Sequence, residues 1–299
     1  MTNAGFERIA TIPTHSTLGE GLVWDERLQC LWFVDILESK LSRLDGGSFD
    51  ITTFDLPERL GCFGLTADPG RLVCAFASGF AFYEPANSQI DWIAKVEPDY
   101  QGVRMNDGRV DRQGRFWAGS MVEDEELAPD RRAVFYRLDP ESGAEPIAMF
   151  DGISVTNSTS FSPNGDRLYF ADSPTQEIVS YDLDIESGAI SNRRSFARLP
   201  EGAFPDGSDV DAEGRLWNAE WGAGRVTAYN PDGSIFTQLS VPASQTSCVT
   251  FGGKDLDLLF VTSARADLGD ERLLQEPQAG DVFIYHSPVK GLPAPVFGG

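Results

Sequence analysis

An all-β, six-bladed β-propeller with a metal site near its axis is the architecture this 299-residue sequence predicts. Three observations lead to the fold. A turn-then-strand unit recurs six times along the chain. The unit centres lie roughly 40–50 residues apart, the length of a blade of four short strands. The 30 glycines and 18 prolines separate short apolar runs, a texture of strands and turns rather than of helices.

In order, the units are DERLQCLWFVDI (25–36), ADPGRLVCAFASG (67–79), VDRQGRFWAGSM (110–121), FSPNGDRLYFADS (161–173), VDAEGRLWNAEWG (210–222) and FGGKDLDLLFVTSA (251–264). Each opens on a polar turn, because the backbone there needs φ values that Gly, Asn and Asp tolerate. Each continues into a strand with an aliphatic or aromatic centre. A further strand then ends in a polar turn: SKLSRLDGG, FAFYEPAN, VFYRLDPESG, IVSYDLDIESG, RVTAYNPDG and DVFIYHSP. A chain of this length would otherwise suggest two domains. No Pro/Ser-rich linker divides it and the repeats run through its middle, so one propeller domain over residues 1–299 is expected. The lone strand FERIATIP (6–13) precedes the first unit. It is expected to pair with the last blade and close the ring, removing exposed sheet edges.

Composition restricts the function. A formal net charge of -22 and a pI of about 4.3 speak against binding the phosphate backbone, so no nucleic-acid partner is expected. The charge serves solubility and is compatible with a negative pocket that draws in a cation. No apolar run reaches the ~18 residues of a membrane span, and MTNAGFERIATIP lacks a basic leader, so a soluble cytoplasmic protein is expected. Of the four cysteines, Cys30, Cys74 and Cys248 lie in or beside apolar runs, and no pair, Cys62 included, has CxxC spacing. Neither a disulfide framework nor a thiolate metal site follows.

The loops entering the inner strands should point into the channel mouth, where residues distant in sequence converge. Just before the repeated cores stand Glu20 between Gly19 and Gly21, then Arg104, Asn106 and Asp107 before Gly108. Asn157 lies in GISVTNSTSFSPNG and Asp206 in FPDGSDVDAEG. Each also has a plain turn reading: Asn-Asp-Gly and Pro-Asp-Gly are ordinary turn chemistry. Asp209 and Asp211 compete with Asp206, but Asp211 belongs to the repeated turn and reads as structural. Two segments, 123–133 and 265–281, are longer and more charged than their counterparts and are candidates for a rim or lid.

Glu20, Asn157 and Asp206 offer two carboxylates and an amide oxygen, and Asn106 could add another amide. Oxygen-only donors suit hard divalent cations: calcium first, with Mg²⁺ and Mn²⁺, while Zn²⁺ or Fe²⁺ remains compatible. With only His15 and His286 in the chain, a His-rich zinc site or a Ser-His-Asp hydrolase is disfavoured. A cation with open positions beside a carboxylate fits hydrolysis of an ester-like bond. The forked donors of Arg104 fit a neutral or anionic oxygen-rich substrate.

LGEGLVWD (18–25), WFVDI (32–36), RMNDGRVDRQGRFWAGSM (104–121), TNSTSFSPNGDRLYFADS (156–173), FPDGSDVDAEGRLWNAEWGAGRV (204–226) and CVTFGGKDLDLLFVTSAR (248–265) together resemble the gluconolactonase family. That family includes senescence marker protein (regucalcin) and bacterial sugar lactonases. The resemblance implies a six-bladed propeller with one divalent metal near the axis. It makes Glu20, Asn157 and Asp206 the metal ligands, with Asp206 also the general base. It makes Asn106 a contact to water or substrate beside the metal and Arg104 a substrate clamp. It places an acidic substrate contact at Asp124 or its neighbour Glu123. Leu22, Ser158 and Ser208 depart from the family's usual Pro, Gly and apolar residue, near the expected pocket.

The expected activity is opening of a sugar-acid (aldono) lactone to the aldonic acid in sugar catabolism. The partner is then a small sugar lactone, met by a monomer or weak homo-oligomer. A promiscuous esterase or organophosphate hydrolase on the same metal, or a non-catalytic calcium-binding regulator, is the alternative. The Arg104–Asn106 pair favours an enzyme, since cation binding alone needs no clamp.

Overall fold

A computed structural model describes residues 5–97, 102–128, 132–141 and 145–299. Residues 129–131, within the charged segment 123–133, lie outside the described residues. The described residues form six sheets, each with four antiparallel strands, arranged as a six-bladed β-propeller. The inner strands, in blade order, are Gly19–Asp25, Leu60–Thr66, Val103–Val110, Thr156–Phe161, Phe204–Val210 and Thr246–Gly252. The repeated units supply the second strands, and the sequences after them supply the third strands, in all six blades.

The strand Glu7–Ile12 is the outer strand of the sixth blade, antiparallel to Val282–His286, with Glu7 opposite His286 and Ile12 opposite Val282. The first and last parts of the chain therefore share one sheet, as expected. The other end of the chain shows something the repeat pattern does not. Val296 and Phe297 pair in parallel with Leu65 and Thr66 of the second blade. On the way, the amide of Ala212 donates to Lys290 O (2.9 Å), Arg112 Nη1 donates to Pro293 O (2.8 Å), and the amide of Gly298 donates to Gly114 O (3.0 Å). The terminal segment thus crosses from the sixth blade past the fifth and third to the second. Leu292, Pro293, Ala294 and Pro295 lie there against Arg109, Asp209 and Thr250 of the inner strands.

The polar turns have a shared mechanism. Asp111 Oδ1 accepts from the amides of Gln113 and Arg115 (both 2.9 Å), and Oδ2 accepts from Trp117 Nε1 (2.9 Å). Asp211 repeats this with Glu213, Arg215 and Trp217 at 2.9, 2.9 and 3.0 Å. Gly114 and Gly214, at φ 79° and 83°, supply the left-handed residue that each turn requires. One carboxylate therefore shapes the turn and pins the tryptophan that fills the space between blades. The apolar core is divided into six clusters, one at each blade–blade interface. Trp24 stacks on Phe260 between blades one and six, and Trp217 meets Phe251 edge-on between blades five and six. All four cysteines are buried and unpaired.

One short helix, Asp270–Gln275, lies in the segment 265–281. No helix among the described residues is long and apolar enough to cross a membrane.

Candidate active site

All six inner strands break their pairing register at the level of the channel mouth. The breaks fall between Glu20 and Val23, Met105 and Gly108, Asn157 and Ser160, and Pro205 and Ser208. Such bulges bend the strand and re-aim a side chain. The sequence gives Asn106 and Asp206 a turn reading, sets Glu20 before an apolar strand start and puts Asn157 near the start of an inner strand. The structure places them inside strands, at bulges. An unrepeated Glu, Asn or Asp beside Gly or Ser in an inner strand, in GEG, NDG, TNS and PDG, is the signal that finds them. The second blade offers no such side chain. A Cβ on Gly61 would stand 2.5 Å from Met105 O and 2.6 Å from Asn106 O, so that blade backs the site with bare backbone.

Glu20, Arg104, Asn106, Glu123, Asn157 and Asp206 line one cavity of about 410 Å³. Leu18, Leu37, Met121, Phe204 and Trp221 add an apolar wall, and Ala266 and Asp267 bring the segment 265–281 to its rim. A volume in this range suits a small-molecule ligand. Asp124 is not among the lining residues. Its Oδ1 instead accepts from the amides of Glu126 (2.9 Å) and Leu127 (3.2 Å), capping an exposed turn. Of the adjacent acidic pair, Glu123 is therefore the one the fold brings to the cavity.

The polar side chains form a directed chain. Arg104 Nε donates to Glu123 Oε1 (3.0 Å), and Arg59 Nη1 holds both oxygens of Glu123 from outside (2.9 and 2.7 Å). Arg104 Nη1 donates to Asn106 Oδ1 (2.6 Å). Asn106 Nδ2 donates to Thr156 O (2.8 Å) and Asn157 Oδ1 (3.2 Å). Asn157 Nδ2 donates to Ser173 Oγ (2.8 Å), and Ser173 Oγ donates to Pro205 O (2.7 Å). Ser173, a cavity-lining residue of the fourth repeat, was not among the residues singled out from the sequence.

Burial acts on every charge here. It pushes the Glu20 carboxyl up to about 8, helped by the negative charge of Asp107. It also raises Asp206 well above the usual carboxylate range, reinforced by Glu20 within hydrogen-bond reach. Burial lowers the Arg104 guanidinium, and the ion pair with Glu123 opposes that shift. Burial works to raise Glu123, but the two arginines outweigh it and hold that carboxyl below its ordinary value. The arrangement thus sets two buried carboxyls side by side, while the guanidinium near them is tied to Glu123.

The remaining sequence candidates separate by depth. Asp209 Oδ2 accepts from Thr250 Oγ1 (2.8 Å) and the Phe251 amide (3.2 Å), further along the channel and away from the cavity. Asp107 Oδ2 accepts from the Thr159 amide (2.7 Å) behind the cavity wall. Leu22, Ser158 and Ser208 are all buried and none lines the cavity. Ser158 has φ 57°, a left-handed backbone that usually favours glycine. Its Oγ donates to Asp206 O (2.8 Å) and accepts from Asn218 Nδ2 (2.9 Å), so the serine braces the strand that carries Asp206. Neither histidine lines the cavity.

The SMP-30/Gluconolactonase/LRE-like region family model matches residues 18–265, a span that contains every polar residue of the cavity but Asp267. The chain belongs to the SMP-30/gluconolactonase/LRE-like family. It is 40% identical over 289 residues to an L-arabinolactonase of Azospirillum brasilense, covering 96% of this chain and 94% of that protein. It is 36% identical to a 6-deoxy-6-sulfogluconolactonase of Pseudomonas putida, covering 95% of this chain and 96% of that one. A solved structure of a calcium-binding protein, regucalcin, from Agrobacterium tumefaciens superposes with a TM-score of 0.90 at 31% identity, over 97% of each chain. Within this family fold the cavity sits at one mouth of the channel, and the terminal segment crosses near the other.

Proposed function

We propose that this protein is a divalent-metal-dependent lactonase that opens an aldonolactone to its aldonic acid. One observation carries the reading: two buried carboxyls, Glu20 and Asp206, share the cavity with the amides of Asn106 and Asn157 and the guanidinium of Arg104. The likeness to an arabinolactonase and a sulfogluconolactonase supports lactones as the substrate class.

The donor set fits a hard divalent cation. Among the described residues no group of three or more His, Cys, Asp or Glu side chains could hold a metal, so a site here needs an amide oxygen beside its two carboxylates. Asn157 Oδ1 is the oxygen available. Glu20, Asp206 and Asn157 would then be the ligands, and a cation would offset the burial, and behind it the neighbouring negative charge, that pushes both carboxyls up. Calcium is the first choice, given its oxygen preference and the calcium-binding neighbour. Bound there, the cation would polarise the lactone carbonyl and acidify water.

The chain's own residues do the rest. Arg104, braced by Glu123, turns its remaining guanidinium N–H groups to the lactone oxygens, while Asn106, its amide hydrogens spent on Thr156 O and Asn157 Oδ1, holds Arg104 in place beside the ring. The apolar wall of Leu18, Phe204 and Trp221 limits water around the ring. Asp206 takes the proton of the attacking water as its oxygen bonds to the carbonyl carbon. The ring C–O bond breaks, the ring oxygen takes up a proton, and the new acid ionises.

The test is hydrolysis by metal-stripped protein of a panel of pentono- and hexonolactones, followed by acid release and corrected for spontaneous opening. Acid release that returns when one divalent cation is restored is the expected result. No acceleration from folded protein with any cation would overturn the reading and leave the second one, a calcium-binding protein without turnover, which the regucalcin likeness supports.

A pH effect on stability follows. The Glu20 carboxyl is raised in the folded state from 4.5 to about 8, so the fold binds a proton there that the unfolded chain does not. Stability from this group is fully present below about 4.5 and is lost as pH rises towards 8. Metal-stripped protein should therefore melt at lower temperature at pH 8.5 than at pH 5.5. Glu20→Gln should flatten that slope, and added cation should reverse it. Equal slopes in the two metal-stripped proteins would show that Glu20 is ionised without strain.

A further inference from the structure

We infer that Ser173 is a positioning residue that decides which atom of Asn157 faces the cation site; this rests on the metal reading above. The two ends of an asparagine amide are nearly equal in shape, so partners set the orientation. Here the partners leave one choice. Pro205 O can only accept, and it lies 2.7 Å from Ser173 Oγ. A serine hydroxyl has a single hydrogen, and it is spent on Pro205. Ser173 can then only accept from Asn157, at 2.8 Å, so the nitrogen of that amide must face Ser173. The oxygen is left on the side of Asn106.

The opposite end of the chain gives the same answer. A guanidinium only donates, so the Arg104 contact of 2.6 Å makes the facing atom of Asn106 its oxygen. Asn106 Nδ2 is then a donor, to Thr156 O and towards Asn157 Oδ1 at 3.2 Å. Turning Asn157 over would set nitrogen against nitrogen at Asn106. At Ser173 it would set oxygen against oxygen, or strip Pro205 O of its donor. Such a buried unsatisfied group is costly.

Ser173 is itself held. Its side chain is buried and it opens the 3₁₀ turn Ser173–Thr175. Its amide donates to Val155 O (3.1 Å), and the carboxylate of Asp172 accepts from the amides of Ser154 and Val155. Pro205 directly precedes Asp206, so one hydroxyl joins the amide of Asn157 to the strand that carries the second carboxylate. A cation needs the oxygen, since an amide nitrogen is no ligand for a hard ion. Serine at 173 therefore keeps Asn157 in the ligating orientation before any cation arrives.

The test uses metal-stripped full-length protein titrated with Mn²⁺ alone by calorimetry, with thermal melts to establish folding. Ser173→Ala should weaken Mn²⁺ binding by about 10–100-fold, the usual cost of losing a group that orients a ligand. Ser173→Thr, which keeps the hydroxyl, should restore it to within about tenfold of wild type. Asn157→Asp supplies the discriminating background, because a carboxylate presents an oxygen whichever way it turns. There, adding Ser173→Ala should change affinity by no more than about twofold, the scatter of independent changes. An equal loss in both backgrounds, or none in the asparagine background, overturns the role given to Ser173. If wild type binds no divalent cation, the metal reading itself fails and takes this inference with it.

Discussion

Asp206→Ala should lower lactone hydrolysis by at least about a thousandfold, because it removes a charge that acts directly at the reacting centre. In the proposed mechanism Asp206 is both a ligand and the acceptor of the water proton. The fold should survive. The Asp206 carboxyl is buried beside Glu20 and raised by that burial, so in metal-stripped protein its ionised form is a burden on the fold rather than a support. The variant, stripped of metal, should melt at or above the wild-type temperature at pH 8. Glu20→Gln should fall with it in activity, since it keeps the shape and discards the charge. Initial rates with the best lactone of the panel, beside thermal melts, make the measurement. Turnover within tenfold of wild type by Asp206→Ala would remove Asp206 from the reaction.

Asp111→Ala should do the reverse, costing stability on the order of 3–5 kcal/mol, as breaking a buried ion pair does. Asp111 accepts from two backbone amides and from Trp117 Nε1, and it faces the buried guanidinium of Arg115 at 3.3 Å. Truncation strands all of these donors at once. A domain of this size should lose roughly 10 °C in melting temperature. Asp211→Ala removes the same set of bonds in the fifth blade and should behave alike. Both turns lie at the far ends of inner strands from the cavity, so the folded fraction should keep its KM. A melting temperature unchanged in either variant would mean that the turn does not need its aspartate.

The contrast between Asp206 and Asp211 was legible in the sequence for a simple reason. A residue that recurs in several blades serves what the blades share, whereas an unrepeated polar residue at the same level serves something only one blade does. Glu20, Asn106, Asn157 and Asp206 are all of the second kind, and the fold brings all four to one cavity. What could not be read was how they arrive there. NDG and PDG look like turns because Asn, Asp and Gly are turn residues. Their role as strand bulges depends on the register of the neighbouring strand, which is a property of pairing and not of the dipeptide.

The sequence by itself determined the blade repeat, the six-bladed count and the closure of the ring by residues 6–13. The first two follow from the recurrence of apolar and turn residues along the chain, a local pattern; the closure follows from a lone leading strand and the need to cover the edges of a ring of sheets. Tertiary structure alone decided which of Glu123 and Asp124 reaches the cavity, because just past the strand end Arg104 and Arg59 draw Glu123 in, while Asp124 turns to cap the following turn. It alone laid the terminal segment across the channel to pair with Leu65 and Thr66, a contact between segments with no shared pattern. It alone set the direction of the hydrogen-bond chain from Arg104 to Pro205. That direction is fixed by groups from the third, fourth and fifth blades meeting within bonding distance. Long-range proximity of this kind leaves no periodic trace in the sequence.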